Sequence, residues 1–210
     1  MGQSQLKMYW FASEPVERMT LPEGYSFSHF SEKNRDIDIP DWNECIRTWP
    51  TPGDGDAERF DSEIYGFKDI VPERDVWFLD HDGEHIGTCT GFIWGCGGAW
   101  QADGEHCVGD LHWVGIKASH RGLGLSKYLS NIIQVTLKER GVRYVSLTTG
   151  EGRPAAVKSY LTAGFLPVEY AEGMTERWEK VLEKYGIDHV QMLCEDASPY
   201  KVIYRSGKSL

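Results

Sequence analysis

The residues most able to do chemistry sit around HRGLGLSKYL, residues 120–129. Residues 109–116 (GDLHWVGI) read as a strand rich in apolar and aromatic side chains. That strand runs into a tight turn, Arg121-Gly122-Leu123-Gly124-Leu125-Ser126. Leu125, Leu129, Ile132 and Ile133 then recur at the spacing of an amphipathic helix. Gly141 should stop the helix, with Lys138 and Arg140 placed where cations suit the negative end of the helix dipole. A strand feeding a glycine turn that opens a helix is an anion-binding arrangement. Unpaired N–H groups converge there, the dipole adds positive charge, and glycine lets a phosphate approach the backbone. The string is not a Walker loop, which requires GxxxxGK[ST]. It is not a dinucleotide fingerprint either, since Lys127 stands where the third glycine belongs.

The run matches R/Q-x-x-G-x-G/A at Arg121 and Gly124, with Ser126 in place of the last small residue. This resembles motif A of the GNAT N-acetyltransferases, whose loop holds the pyrophosphate of acetyl-coenzyme A. A second match follows. Residues 142–148 (VRYVSLT) are β-branched and aromatic, hence a strand. Residues 153–165 (RPAAVKSYLTAGF) read as a short helix with Pro154 in the first turn and Gly164 past its end. They resemble the last GNAT motif, N-x-x-A-x-x-x-Y-x-x-x-G-F, at Ala156, Tyr160, Gly164 and Phe165, with Arg153 in place of Asn. The resemblance is good over residues 75–165 and loose elsewhere.

The resemblance implies an enzyme that moves an acetyl group from acetyl-CoA, as co-substrate, to a primary amine by direct attack on the thioester. It implies a GNAT fold of the α/β class: a mixed, mostly antiparallel central sheet of six to seven strands flanked by helices. The family's glutamate base lies eleven positions before the R/Q of motif A, which here is Asp110. Strand alternation puts Asp110 and His112 on one face with Val114 and Ile116, and His112, nearer neutral in pKa, rivals Asp110 as base. Tyr160 stands where the family places its general acid, and a phenol with a pKa of about 10 can protonate the leaving thiolate. Implied cofactor contacts are Val114 and Ile116 on the strand, the loop Arg121, Gly122, Leu123, Gly124, Leu125, Ser126 and Lys127, and Arg153. A backbone N–H of the same strand should polarise the thioester carbonyl, and Gly115 within it fits a bulge or a close backbone approach. Ser126, Arg153 and Asp for Glu depart from the family pattern. They leave open a catalytically silent acyl-CoA sensor of the same fold, and a nucleotide-binding protein unrelated to CoA is the third alternative.

These motifs need elements to hold them. Residues 1–24 read as an arm with an apolar knot at Met8, Tyr9, Trp10 and Phe11, ahead of a single domain over 25–210 with its cofactor-binding core at 108–165. YSFSHF (25–30) alternates as a half-buried strand, and a helix near Pro40 carries Trp42, Cys45, Ile46 and Trp49. PTPGDGD (50–56) breaks the chain before a second short helix at 57–65. Residues 76–79 and 85–94 form a hairpin about Asp82-Gly83. GCGGAWQAD (95–103) is long for a hairpin connection and suits a lid, an acceptor contact or a surface excursion. A strand at 166–170 precedes a helix at 174–185, an addition to the family core that ends at Gly186. Residues 202–204 suit a last strand, while 187–200 show no clear pattern.

Bulk properties narrow the class further. With 210 residues and one copy of the loop, the chain reads as one domain. No apolar run reaches membrane length and the N-terminus has no signal-peptide pattern, so the expectation is a soluble cytoplasmic protein. Five cysteines without a CxxC pair suggest reduced thiols, and Cys89, Cys96, His106, Cys107 and His112 match no standard zinc spacing, so no metal is expected. Charge is uneven: residues 1–100 hold 19 acidic against 8 basic side chains, and residues 101–210 hold 13 against 14. An acidic wall would draw a small cationic amine and repel nucleic acid, although an ordinary solvated face has the same composition. Dimers are common in the family, so a homodimer is one state the resemblance allows.

Overall fold

The computed structural model describes residues 5–47 and 56–205. The strands are β1 (Leu6–Phe11), β2 (Tyr25–His29), β3 (Val76–His81), β4 (Glu84–Ile93), β5 (Val108–Ile116), β6 (Tyr144–Thr149), β7 (Leu166–Glu169), β8 (His189–Cys194) and β9 (Pro199–Tyr204). The helices are α1 (Arg35–Ile46), α2 (Asp56–Phe60), α3 (Pro72–Asp75), α4 (Ser126–Glu139), α5 (Pro154–Thr162) and α6 (Met174–Tyr185). Residues 12–145 form one compact unit, and residues 1–11 with 146–210 form another.

In the 12–145 unit, β2, β3, β4 and β5 pair antiparallel in chain order. Asp82 and Gly83, both at positive φ (51° and 82°), turn the β3–β4 hairpin as the Asp-Gly pair requires. One face of β4 and β5 is stripped of side chains at three points. A Cβ added at Gly91 would lie 2.8 Å from Ile133, one at Gly109 would lie 2.8 Å from Leu137, and one at Gly87 would lie 3.5 Å from Leu129. Leu129, Ile133 and Leu137 recur every four residues on α4 and are fully buried. The helix therefore lies directly on the backbone of the two strands. Each buried side chain contributes roughly 1.5–3 kcal/mol.

The other face holds a core in which Phe78 of β3 and Phe92 of β4 pack with Ile39, Trp42 and Ile46 of α1, Phe60 of α2, Phe30 just after β2 and Ile64 just after α2. Helix α1 starts at Arg35, five residues before Pro40, because the turn Glu32–Asn34 leads straight into it and Ser31 caps that turn. Two polar clamps fix α1. Lys117, after β5, reaches Asp41 at 2.6 Å and Glu44 at 3.3 Å. His85 lies 2.6 Å from Asp80 and 3.4 Å from buried Asp38. Trp49 and most of the 50–56 breaker lie outside the described residues.

The 95–103 loop is anchored. Asp69 accepts the Gly95 N–H at 2.9 Å and also that of Gly97. Arg74 donates to the carbonyls of Gly98 and Ala99, and Arg140 to that of Trp100. Both guanidiniums bond buried Asp75 and flank the Trp100 ring, at 5.2 and 5.8 Å. Arg140, expected only to complement the dipole of α4, instead holds this loop.

In the other unit the apolar knot docks as a strand. β1 pairs antiparallel with β7 and buries Leu6, Met8, Tyr9 and Trp10. β7 runs parallel to β8, which pairs antiparallel with β9. Helix α6 spans the expected residues and buries Met174, Trp178, Val181 and Leu182. Nine strands thus appear among the described residues rather than six to seven. The two additions, β1 and β8, lack a clean polar–apolar alternation, because neighbouring residues in each are buried together.

The close seat of α4 makes a sign prediction. Alanine normally improves on glycine in a strand by restricting the unfolded chain. Gly91→Ala should instead destabilise by about 1–3 kcal/mol through overpacking on Ile133. Denaturant unfolding of the two proteins checks it.

Candidate active site

Strand β5 carries the predicted base candidates. Asp110 pairs with Phe92 and His112 with Thr90, so both lie on the α1–α2 face. Beyond them the register shifts. Thr88 pairs with Gly115, so Trp113 and Val114 stand opposite the single residue Cys89, and Trp113 adopts φ 47°. This is a bulge, and it inverts the alternation. Ile116 consequently pairs with Gly87 on the α4 face, 3.5 Å from where a Gly87 Cβ would be, and not on the face of Asp110 and His112. Val114 lies in the bulge itself. Gly115 does make a close approach, to α1: a Cβ there would sit 2.5 Å from the Cys45 carbonyl oxygen.

The Asp110 side chain is 13% exposed and accepts a hydrogen bond from Trp94 Nε1 at 3.1 Å. His112 Nδ1 stands 3.8 Å from Asp110 Oδ1. Its ring packs on Trp113 and Phe67, with centroids at 5.1 and 5.8 Å. Its Nε2 is buried without a hydrogen-bond partner. Burial pushes the His112 pKa down to about 4, so the imidazole is neutral at pH 7.

The loop after β5 begins with a 3₁₀ turn at Ala118–His120. Gly122 and Gly124 adopt φ 80° and 71°, and the space beside each is open. Arg121 donates from Nε to the Ile116 carbonyl at 2.8 Å, folding the loop back onto the end of β5. Leu125, 3% exposed, roots the loop in the core while Leu123 stands out at 62% exposure. Leu125, at the N-cap of α4, offers no side-chain cap, and the first turn of the helix holds no acidic residue. The Tyr128 N–H closes onto the Leu125 carbonyl at 3.1 Å, and the dipole of α4 gives the turn between Arg121 and Lys127 a positive polarisation. Ser126 begins the helix.

Arg153 and Tyr160 belong to the other unit, at the start and in the last turn of α5. Tyr160 is 8% exposed and meets Phe165 edge-on at 5.9 Å. Burial lowers the Arg153 pKa to about 10, and the charge of an ionised Tyr160 acts against that shift, so the two side chains interact. Gly164, at φ 86°, ends the helix under Trp10. Among the described residues no three side chains gather that could hold a metal ion, and no helix is long and apolar enough to cross a membrane.

Three features had no signal in the motifs: Trp94 as partner of Asp110, the Trp113 bulge, and the Lys117 clamp. The unusual positive φ at a tryptophan cannot be read from residue type. The polar contacts join residues 16 and 76 positions apart.

The neutral His112 makes stability depend on pH. Its folded pKa lies below the unfolded value of about 6.5, so between the two the unfolded chain binds a proton that the folded chain does not. Its contribution should be intact above pH 6.5 and lost as pH falls toward 4. Wild type should lose about 1–2 kcal/mol relative to His112→Gln between pH 7 and pH 5 in denaturant titrations, whereas parallel curves would contradict the burial argument.

Comparison with known proteins agrees with this architecture. The sequence signature described as "Acetyltransferase (GNAT) family" matches residues 36–165. The chain is 32% identical over 97 residues to a mycothiol acetyltransferase of Thermobispora bispora, covering 44% of this chain and 32% of that protein. It is 26% identical over 163 residues to that of Nocardia farcinica, covering 74% and 50%. It thus spans a third to a half of the length of these curated relatives. A crystal structure of a GCN5-related N-acetyltransferase from Sphaerobacter thermophilus shares the fold at TM-score 0.57 and 20% identity, over 79% of this chain and 49% of that one. An acetyltransferase of the GNAT family from Colwellia psychrerythraea does so at TM-score 0.55 and 16% identity, over 78% and 53%. With its signature spanning more than half of the sequence, and a mixed, mostly antiparallel α/β fold shared with these structures, the chain belongs to the acetyltransferase (GNAT) family.

Proposed function

We propose that this protein transfers an acetyl group from acetyl-CoA to a primary amine by direct attack on the thioester. The observation that carries this reading is the N-terminus of α4, which has no side-chain cap from Leu125 and no acidic residue in its first turn, behind the left-handed Gly122 and Gly124. Backbone N–H groups there, with Arg121 and Lys127, suit the cofactor's pyrophosphate. On this reading pantetheine runs along β5 near Val114 and Ile116, and a β5 N–H polarises the carbonyl. Arg153 is assigned to the cofactor side.

The reaction needs three proton transfers, two off the acceptor nitrogen and one onto the leaving thiolate. The acceptor arrives as an ammonium and must give up a proton before its nitrogen can attack the carbonyl carbon. Asp110 takes that proton, directly or through one water. Being anionic it also attracts the ammonium, which neutral His112 does not. The C–N bond forms, the C–S bond breaks, and the Tyr160 phenol supplies the proton that the departing thiolate requires. Arg153 favours the phenolate left on Tyr160 until the second proton, shed by the newly acylated nitrogen, restores the phenol. Trp94 holds the Asp110 carboxylate at a fixed angle.

Thiol release from acetyl-CoA, followed over a panel of primary amines, tests this reading. Tyr160→Phe should lower kcat by about 10²-fold and leave the KM for acetyl-CoA nearly unchanged. Full kcat in the variant would remove the phenol from the chemistry. No thiol release with any amine would favour a sensor of the same fold.

A further inference from the structure

The α1–α2 face of β4 and β5 ends in a cluster of aromatic rings beside one carboxylate. Trp94 lies 6.0 Å from Phe67 and 4.9 Å from Phe92, and Phe67 lies 5.8 Å from His112. Phe92 is fully buried and backs the group, whereas Trp94 remains 41% exposed. The Trp94 indole N–H donates to Asp110, which fixes the carboxylate at the edge of the rings.

Cations already occupy the neighbouring indoles. Arg74 and Arg140 flank Trp100, and Arg59 lies 5.1 Å from Trp113. Trp94 and Phe67 face no cation among the described residues. His112, held neutral by burial, adds an uncharged aromatic face. Electron-rich ring faces next to a carboxylate attract an organic cation and disfavour an anion.

We propose that Phe67, Phe92, Trp94, His112 and Asp110 form an ammonium-binding site for the acceptor, selecting a primary amine on an apolar body over a phosphorylated or acidic amine. The proposal rests on the acyltransferase reading and adds to it that the acceptor is recognised as a cation before it loses its proton to Asp110.

The probe pair is butylammonium and its neutral analogue 1-butanol. Protein labelled with 5-fluorotryptophan is titrated with each by fluorine NMR, the Trp94 signal being assigned from Trp94→Phe. Butylammonium should move that signal with an affinity at least about fivefold above that of 1-butanol, and Asp110→Asn should weaken the ammonium response about tenfold. Equal response to the two probes, no movement of the Trp94 signal, or an unchanged response in Asp110→Asn would each overturn the site. Acetyl-CoA binding is measured on the same protein. If acetyl-CoA binds but the ammonium response is missing, the site falls and the transferase reading stands. An ammonium response without acetyl-CoA binding removes the transferase reading and leaves an ammonium site.

Discussion

The contact between α4 and the glycine-lined face of β4 and β5 is the constraint on which the candidate site depends. At Gly87, Gly91 and Gly109 the strands carry no side chain, so Leu129, Ile133 and Leu137 pack into those positions, the last two so closely that a Cβ would collide with them. Interiors packed this densely have few alternative arrangements. The seat of α4 fixes where its first turn begins, and Leu125 fixes the loop before it. An anion-binding loop works only if its N–H groups already converge before the ligand arrives. On the proposed reading, a helix seated this closely on the strands supplies that preorganisation, with the left-handed glycines lining the turn before it.

The opposite face of the same strands has a different character. There the bulge at Trp113 and the close approach of Cys45 to Gly115 bend β5 against α1. The polar residues that survive on this face are held by specific partners, Asp110 by Trp94 and Lys117 by Asp41 and Glu44. The long 95–103 loop adds a fixed border, since Asp69, Arg74 and Arg140 bond its backbone. Breaking a buried charge cluster such as Asp75 with Arg140 leaves an uncompensated charge, typically at 3–5 kcal/mol. The border is therefore stiff where its glycine content suggests a flap. One strand pair thus carries two different settings, the glycine turn and the start of α4 at one end and aromatic rings with a carboxylate on one face.

Much of this was legible in the sequence wherever the signal is local. The β3–β4 hairpin follows from Asp82-Gly83, the extent of α4 from its apolar spacing, and the ends of α4, α5 and α6 from Gly141, Gly164 and Gly186. Each rests on a residue type whose backbone preference is intrinsic. What stayed hidden depends on partners distant in the chain. β1 pairs with β7 more than 150 residues later, and its adjacent buried residues break the alternation a strand would show. The displacement of Ile116 to the α4 face follows from one extra residue opposite Cys89, which residue types do not encode. In the candidate site, the glycine loop was legible from its residue types and Asp110 was reached through the family resemblance, whereas Trp94 was not legible. Its partnership exists only once β4 lies beside β5.

The central claim is that the 121–126 loop holds the pyrophosphate of an acyl-CoA. Calorimetric titration of the purified protein with acetyl-CoA, with NAD as control and with Gly124→Glu beside the wild type, tests it most directly. The account predicts saturable heat with acetyl-CoA, none with NAD, and loss of binding in Gly124→Glu, whose side chain meets open space but whose left-handed backbone costs about 1 kcal/mol of stability, so its unfolding transition is recorded alongside to show that the variant is folded. Folded protein, free of carried-over cofactor, that gives no heat with acetyl-CoA would contradict the claim. So would binding that Gly124→Glu leaves unchanged, because the cofactor would then sit elsewhere.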